Sequence, residues 1–357
     1  MYTKEERADL WLDAAVPENK KKLRLISLAG SSYALAARLG SLAGKVAEAA
    51  GEECLRALQS SLSAPQKIRA MFDAYASGGV FCVTLSSDDY PEQLRQLPDP
   101  PVVLYCRGNR SLLRRRIFAA VGSRRTPPAV LKQAERFSRG LSEHFAVASG
   151  TAEGGDSAVL KGALENGAIA VLAHGHDFFV PESGKALRLS VEEKGLSVSE
   201  YPPATPARSY HYPARNRILA GLSEGVLVVS GGEKSGTRLT AECAYRYGRG
   251  VYAFPHPVGA SYGAGCNALI KEYAKLTDDL VDILSDFGIN LSEAEEIALP
   301  PAERAVFSAL REEGEAHVGA LCEKCGMAAP ELTAALMLLQ MKGLAAPCGG
   351  NRWTALK

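Results

Sequence analysis

Three apolar runs in this chain each break into a turn of small residues, and each turn is followed by a helical pattern. The first is Ile117-Phe118-Ala119-Ala120-Val121, which ends in Gly122-Ser123-Arg124-Arg125. In the second, Phe145-Ala146-Val147-Ala148 meets Ser149-Gly150-Thr151-Ala152 and then Glu153-Gly154-Gly155-Asp156. The third runs over residues 225–229 into Ser230-Gly231-Gly232 and Ser235-Gly236-Thr237. Short apolar runs alternating with helical patterns are the signature of a parallel, doubly wound α/β sheet. Small residues at strand-to-helix turns let backbone N–H groups approach an anion, and the helix N-terminus behind each adds a partial positive charge. Three such turns at the C-terminal ends of parallel strands would line one crevice.

A length of 357 residues allows two or three domains, and 46% hydrophobic with 23% charged residues is the composition of an ordinary globular protein. Residues 1–20 are too polar for a signal peptide, and no apolar run approaches the length of a membrane span, so the expected compartment is the cytoplasm and no membrane partner is expected. Eight cysteines, scattered and mostly in apolar segments, read as reduced thiols. The net charge of +1 is unevenly distributed. Residues 107–290 carry 23 Lys and Arg against 18 Asp and Glu, whereas both flanking segments are acidic, so a polyanion should bind in the middle.

Residues 1–78 read as a helical domain, with apolar periodicity at Leu35, Leu39, Leu42 and Val46. Residues 27–31 could form the turn of a helix-hairpin-helix, but they lack its Gly-x-Gly, and plain helix packing is the preferred reading. Residues 79–287 form the α/β core, with strands near 80–85, 102–105, 117–121, 145–148, 168–172, 196–199, 226–229 and 251–254. A helix over 129–144 places Val130, Ala134, Phe137 and Leu141 inward, and Asp156 caps the next one. An acidic linker over 288–301 precedes a last module, 302–357. There, helices near 302–310 and 332–342 followed by a hairpin tipped by Gly349-Gly350-Asn351 predict a winged helix. Its would-be recognition helix, 330–342, offers Glu331 and no base until Lys342, which favours contact with protein over reading of DNA.

The most specific pattern is Arg215-Asn216-Arg217 followed by Ser235-Gly236-Thr237. Together with Tyr90-Pro91, Asp99-Pro100-Pro101, Val121-Gly122-Ser123-Arg124, Ser149-Gly150, Ser199-Glu200-Tyr201-Pro202-Pro203 and Gly265-Cys266-Asn267-Ala268-Leu269-Ile270, it forms an ordered set running almost end to end. This set closely resembles the DNA-processing protein A (DprA, or Smf) family of single-stranded-DNA-binding recombination mediators. The resemblance implies a helical N-terminal domain, an extended Rossmann-like core that grips single-stranded DNA, and a C-terminal winged helix. It also implies loading of the RecA recombinase during DNA uptake and natural transformation, no enzymatic activity, no cofactor, and a homodimer. The DNA-binding residues it points to are Gly122, Ser123, Arg124, Arg125, Ser149, Gly150, Lys185, Arg215, Asn216, Arg217, Ser235, Gly236 and Thr240. Guanidinium groups beside phosphate-cradling turns suit that role. The bland alternative is that Arg215, Asn216 and Arg217 only cap carbonyls and form internal ion pairs.

The chain departs from the family at Glu153, Gly155, Leu160, Ser230 and His256, and a carboxylate at 153 beside a phosphate site is repulsive unless paired. Aromatic residues available for stacking on bases are Tyr210, Tyr212, Phe178 and Phe179. Other chemistries are poorly supported. Cys322, Cys325, His317 and Cys348 could be assembled into a zinc site, but cysteines at i, i+3 of a core helix more often pack, and no metal is expected. His174 and His176 lack a readable catalytic partner. The competing function is a nucleotide-cleaving phosphoribohydrolase, suggested by Ser230-Gly231-Gly232, Ser235-Gly236-Thr237 and Glu242, although the loop lacks a leading Pro and its glycines are spaced too widely.

Overall fold

The structure is a computed structural model, and it describes residues 2–289 and 299–356. Most of the expected linker, 290–298, lies outside the described residues. Two compact units result, Met1–Gly288 and Ile289–Lys357.

The first unit is built on nine strands: β1 (Phe81–Thr84), β2 (Val103–Gly108), β3 (Ile117–Val121), β4 (Ala146–Ser149), β5 (Ala168–Val171), β6 (Leu196–Ser199), β7 (Gly225–Val228), β8 (Gly250–Ala253) and β9 (Lys275–Leu276). Their order across the sheet is β1-β2-β6-β5-β4-β3-β7-β8-β9. From β6 to β9 every pair is parallel, while β2 joins β6 antiparallel and β1 joins β2 antiparallel. β3 through β5 are buried along their whole length, as expected for apolar strands covered by helices on both faces. The chain moves outward from β3 to β6 in one direction and restarts at β7 on the other side of β3. The topological switch therefore falls at β3, where doubly wound sheets open a crevice beyond the strand ends.

Five helices, from Lys4–Ala15 to Pro65–Ser77, form the N-terminal region with its own core of Trp11, Leu12, Leu25, Leu35, Leu39, Val46 and Leu58. No break separates it from the sheet: both lie in one compact unit, although the sequence places a boundary after residue 78. Buried polar contacts join them. Lys22 pairs with Asp13, which also accepts the Tyr105 hydroxyl at 2.6 Å, and Asp9 accepts the Ser86 amide at 3.0 Å. Residues 27–31 serve as an ordinary helix end, with Gly30 closing the helix Asn19–Ala29 and Ser31 capping Ser32–Ala50.

In the second unit the helices Pro301–Glu313, Val318–Cys325 and Ala329–Met341 pack with a sheet of β10 (Glu315–His317), β11 (Ala345–Gly349) and β12 (Arg352–Ala355), ordered β10-β12-β11. The chain has a C-terminal winged helix, as its sequence predicts. Gly350 and Asn351 both have positive φ, 56° each, which is the conformation that a two-residue hairpin turn demands. No described helix is long and apolar enough to cross a membrane.

Candidate nucleic-acid interface

β4, β3 and β7 are neighbours, so the three small-residue turns meet at one end of the sheet. The first two turns are packed backbone to backbone. A Cβ on Gly155 would lie 2.4 Å from the Gly122 Cα, and one on Gly154 would lie 2.5 Å from the Ser123 carbonyl oxygen. Gly155, one of the departures from the family pattern, is therefore required here by contact with Gly122. Asp156 completes the join by accepting the Gly122 amide at 3.0 Å and the Ala152 amide at 3.4 Å. The expected helix cap at Asp156 is not found: Gly154, two residues earlier, occupies the cap, and the carboxylate bonds backbone outside the helix Gly155–Ala163.

Beyond these turns lies a cavity of about 310 Å³ lined by Val121, Gly122, Ser123, Arg124, Ala152, Asp156, Tyr212, Arg215, Asn216, Leu219, Ser235, Gly236, Thr237 and Thr240. Eight of the thirteen predicted residues belong to this lining: Gly122, Ser123, Arg124, Arg215, Asn216, Ser235, Gly236 and Thr240. Arg124 is exposed at it and makes no ion pair among the described residues. Arg215 is buried. Its Nε donates to Asn216 Oδ1 at 3.1 Å and one terminal nitrogen donates to the Val171 carbonyl, while Asn216 Nδ2 in turn donates to the Gly236 carbonyl at 3.2 Å. The other terminal nitrogen makes no hydrogen bond among the described residues, and the Arg215 side chain lines the cavity. Asp156 and Arg215 flank Gly150, where a Cβ would lie 2.2 Å from the carboxylate and 2.7 Å from the guanidinium, so a side chain there would have to displace these two groups. Burial pushes the Asp156 carboxyl up, with Arg215 opposing that shift, and burial pushes Arg215 down. The helix Gly236–Arg246 starts at the cavity without a side-chain cap, which leaves its first N–H groups turned to the opening.

Five predicted residues stand apart. Arg217 is two positions from Arg215 on the helix His211–Leu222, about 200° around its axis, and so points elsewhere. It pairs with Glu200 at 2.5 Å and Asp99 at 3.2 Å in a nearly buried cluster. Ser149 is fully buried, its hydroxyl donating to the Ala120 carbonyl at 2.7 Å. Gly150 serves by its lack of a side chain. Arg125 is exposed but outside the lining, and Lys185 lies over the Phe179 ring, 3.5 Å from Glu182. The Ser230-Gly231-Gly232 half of the third turn is closed: Gly231 bonds Tyr262 and Gly265, and Ser230 takes the Ser123 amide at 3.0 Å. Glu153 is exposed and pairs with neither Arg124 nor Arg125; it accepts the Ser183 hydroxyl. Asp156 and Thr237 line the cavity without having been singled out as DNA-binding candidates, since their signal is positional and appears only once the turns are placed, and Tyr212, expected to stack on bases, is also among the lining residues.

The other sequence motifs are structural. The Tyr90 hydroxyl donates to the Pro101 carbonyl at 2.7 Å, closing the proline-marked loop, and His211 stacks on Tyr201 at 4.1 Å. Asn267 bonds both the amide and the carbonyl of His256, at 3.0 and 2.9 Å. His174 and His176 are buried, and burial pushes both rings down, His176 to about 3. Among the described residues no group of three or more His, Cys, Asp or Glu side chains is placed to hold a metal ion.

The family model described as DNA recombination-mediator protein A matches residues 81–288, and that described as DprA winged helix domain matches residues 291–351. This chain belongs to the DNA recombination-mediator protein A family. Among its relatives, DNA processing protein DprA of Streptococcus pneumoniae is 38% identical over 206 residues, covering 57% of this chain and 73% of the relative. Protein Smf of Escherichia coli is 34% identical over 316 residues, covering 83% of each. The X-ray structure of DprA from Streptococcus pneumoniae superposes with a TM-score of 0.69 at 30% identity, covering 80% of this chain and 98% of that one. A DprA from Helicobacter pylori, whose structure addresses its single-stranded-DNA binding mode, matches with a TM-score of 0.54 at 25% identity over 58% of this chain and 95% of that one. The DprA-family motifs of this chain thus fall into two groups: those that line the switch-point cavity, and those that lock the loops around it.

Proposed function

We propose that this chain binds single-stranded DNA at the switch-point cavity and acts as a mediator, without chemistry of its own, that delivers the strand to a RecA-type recombinase during DNA uptake and transformation. The observation that carries this reading is the pairing of Arg124, exposed and free of ion pairs among the described residues, with the buried Arg215 and the uncapped start of the helix Gly236–Arg246, all on one cavity. A phosphate there would meet two guanidinium groups and free N–H donors, an arrangement that positions a backbone and reads no base. The Helicobacter pylori relative's single-stranded-DNA binding supports the same assignment. Homodimerisation of the core, presenting two such clefts, is part of the proposal.

The phosphoribohydrolase reading is the weaker of the two. Glu242 pairs with Arg238 at 3.1 Å and is not among the lining residues, and both Asp156 oxygens are occupied by backbone amides. Electrophoretic titration with single- and double-stranded oligonucleotides tests the proposal, with preference for the single strand expected. Release of free base from nucleoside monophosphates would replace it with the enzymatic reading.

A further inference from the structure

The helix Ala329–Met341 has two apolar faces, divided on one side by the exposed Thr333 and Gln340. Leu332, Ala335, Leu336 and Leu339 face the module's core, yet Met337, Leu338 and Met341 on the opposite side are 58%, 44% and 84% exposed. A helix with a second apolar face calls for a second partner, and this one is covered on only one side. The helix occupies the recognition position of a winged helix, but its exposed face carries no cation before Lys342. Of the module's cations, Lys324 pairs with Glu312 and Glu313, Lys342 with Glu303, and Arg352 with Glu315, while Arg311 is exposed on another helix. Over residues 291–357 there are six Lys and Arg against nine Asp and Glu, so a phosphate backbone would be repelled.

We infer that this face is a self-association surface, on which the helix Ala329–Met341 packs antiparallel against the same helix of a second copy of this chain. A two-fold axis between Met337 and Leu338 sets these two against the partner's Leu338 and the partner's Met337. The same axis sets the small Ala334 against the large, most exposed Met341 of the partner subunit. Ala334, Met337, Leu338 and Met341 recur at the three- and four-residue spacing of a helix–helix seam, and the small-against-large alternation is what lets such a seam close. Charge agrees with the antiparallel sense. Glu331, exposed at the helix start, comes near the Lys342–Glu303 pair at the other copy's helix end, whereas parallel packing would set the two copies' Glu331 side by side. Such a contact is isologous and closes on itself. It is independent of the DNA cavity and of any contact made by the core.

Short-armed bismaleimide cross-linking of the full chain tests this, in a Cys348→Ser background because Cys348 is exposed. Leu338→Cys, beside the axis, is expected to give covalent dimer in at least tenfold higher yield than Glu323→Cys, on an exposed site of the preceding helix. Adding Met341→Glu to Leu338→Cys should bring the yield down to that of the control. Association through the core alone would raise both cysteines' yields alike. Yield at Leu338→Cys no greater than at Glu323→Cys, or unchanged by Met341→Glu, would overturn the inference and assign the face to another partner. The melting temperature of each variant, expected to match the Cys348→Ser parent, shows that a lost cross-link is not a lost fold.

Discussion

Asp156 accepts the backbone amide of Gly122 at 3.0 Å, tying the first turn of one helix to the turn that ends the neighbouring strand. Across the same join Gly155 leaves no room for a side chain, since a Cβ there would lie 2.4 Å from the Gly122 Cα. The cavity floor is thus a rigid, glycine-spaced contact between two backbones. Gly155→Ala must push those backbones apart, and overpacking of this kind costs about 1–3 kcal/mol. A lowered midpoint in urea denaturation at constant slope is the expected result.

Arg217 should matter for folding and not for DNA. Replacing it by Ala leaves Glu200, which burial already holds above the usual carboxylate range, without its partner. Breaking a buried pair in this way costs about 3–5 kcal/mol, so thermal unfolding should shift strongly downward. Single-stranded-DNA affinity, measured at a temperature where the variant remains folded, should stay close to wild type.

Stability should fall in mild acid through His176. Its ring is buried beside Arg188 and Arg107, with Ser197 Oγ 3.0 Å from Nε2, and is pushed down from 6.5 to about 3. Because the folded value is depressed, the unfolded chain binds the extra proton between those limits. The stability is fully present above pH 6.5 and is lost as pH falls toward 3, at up to about 1.4 kcal/mol per pH unit. In His176→Gln, chemical denaturation between pH 6.5 and 4 should show a shallower loss than wild type, with the remaining slope carried by other groups.

Glu153 is held by Ser183, neither facing a cavity residue nor paired with an arginine among the described residues. Glu153→Arg removes an exposed negative charge two residues past Thr151, so a tightening of DNA binding of about twofold to tenfold is expected, from a screened surface charge. Its melting temperature should stay within a few degrees of wild type.

Much of this architecture is legible in the sequence, because apolar runs and small-residue turns are local features. All three turns and the helix start at Ser235-Gly236 are found where their residues predict, and the hairpin expected to be tipped by Gly349-Gly350-Asn351 forms with Gly350 and Asn351 as its turn and Gly349 ending the strand. Strand order is not local: nothing in residues 103–108 says that β2 will pair antiparallel with β6. The short β9, two exposed residues at the sheet edge, carries no hydrophobic pattern to find. Roles within a motif are also non-local. Arg215 and Arg217 look equivalent in a line of sequence, but the helix turns one toward the cavity and the other toward Asp99 and Glu200, residues 118 and 17 positions away. Ser149 and Lys185 likewise look like ligand residues until Ala120 and Phe179 are seen to engage them.

The central claim is that a strand's phosphates bind at the cavity through Arg124. Equilibrium titration of a fluorescent single-stranded oligonucleotide across a salt series, for wild type and Arg124→Ala, tests it most directly. The account predicts weaker binding by Arg124→Ala for every base composition, a log–log salt slope shallower by about 0.7, and an unchanged melting temperature. An affinity and salt slope equal to wild type would contradict it and place the DNA elsewhere on the molecule.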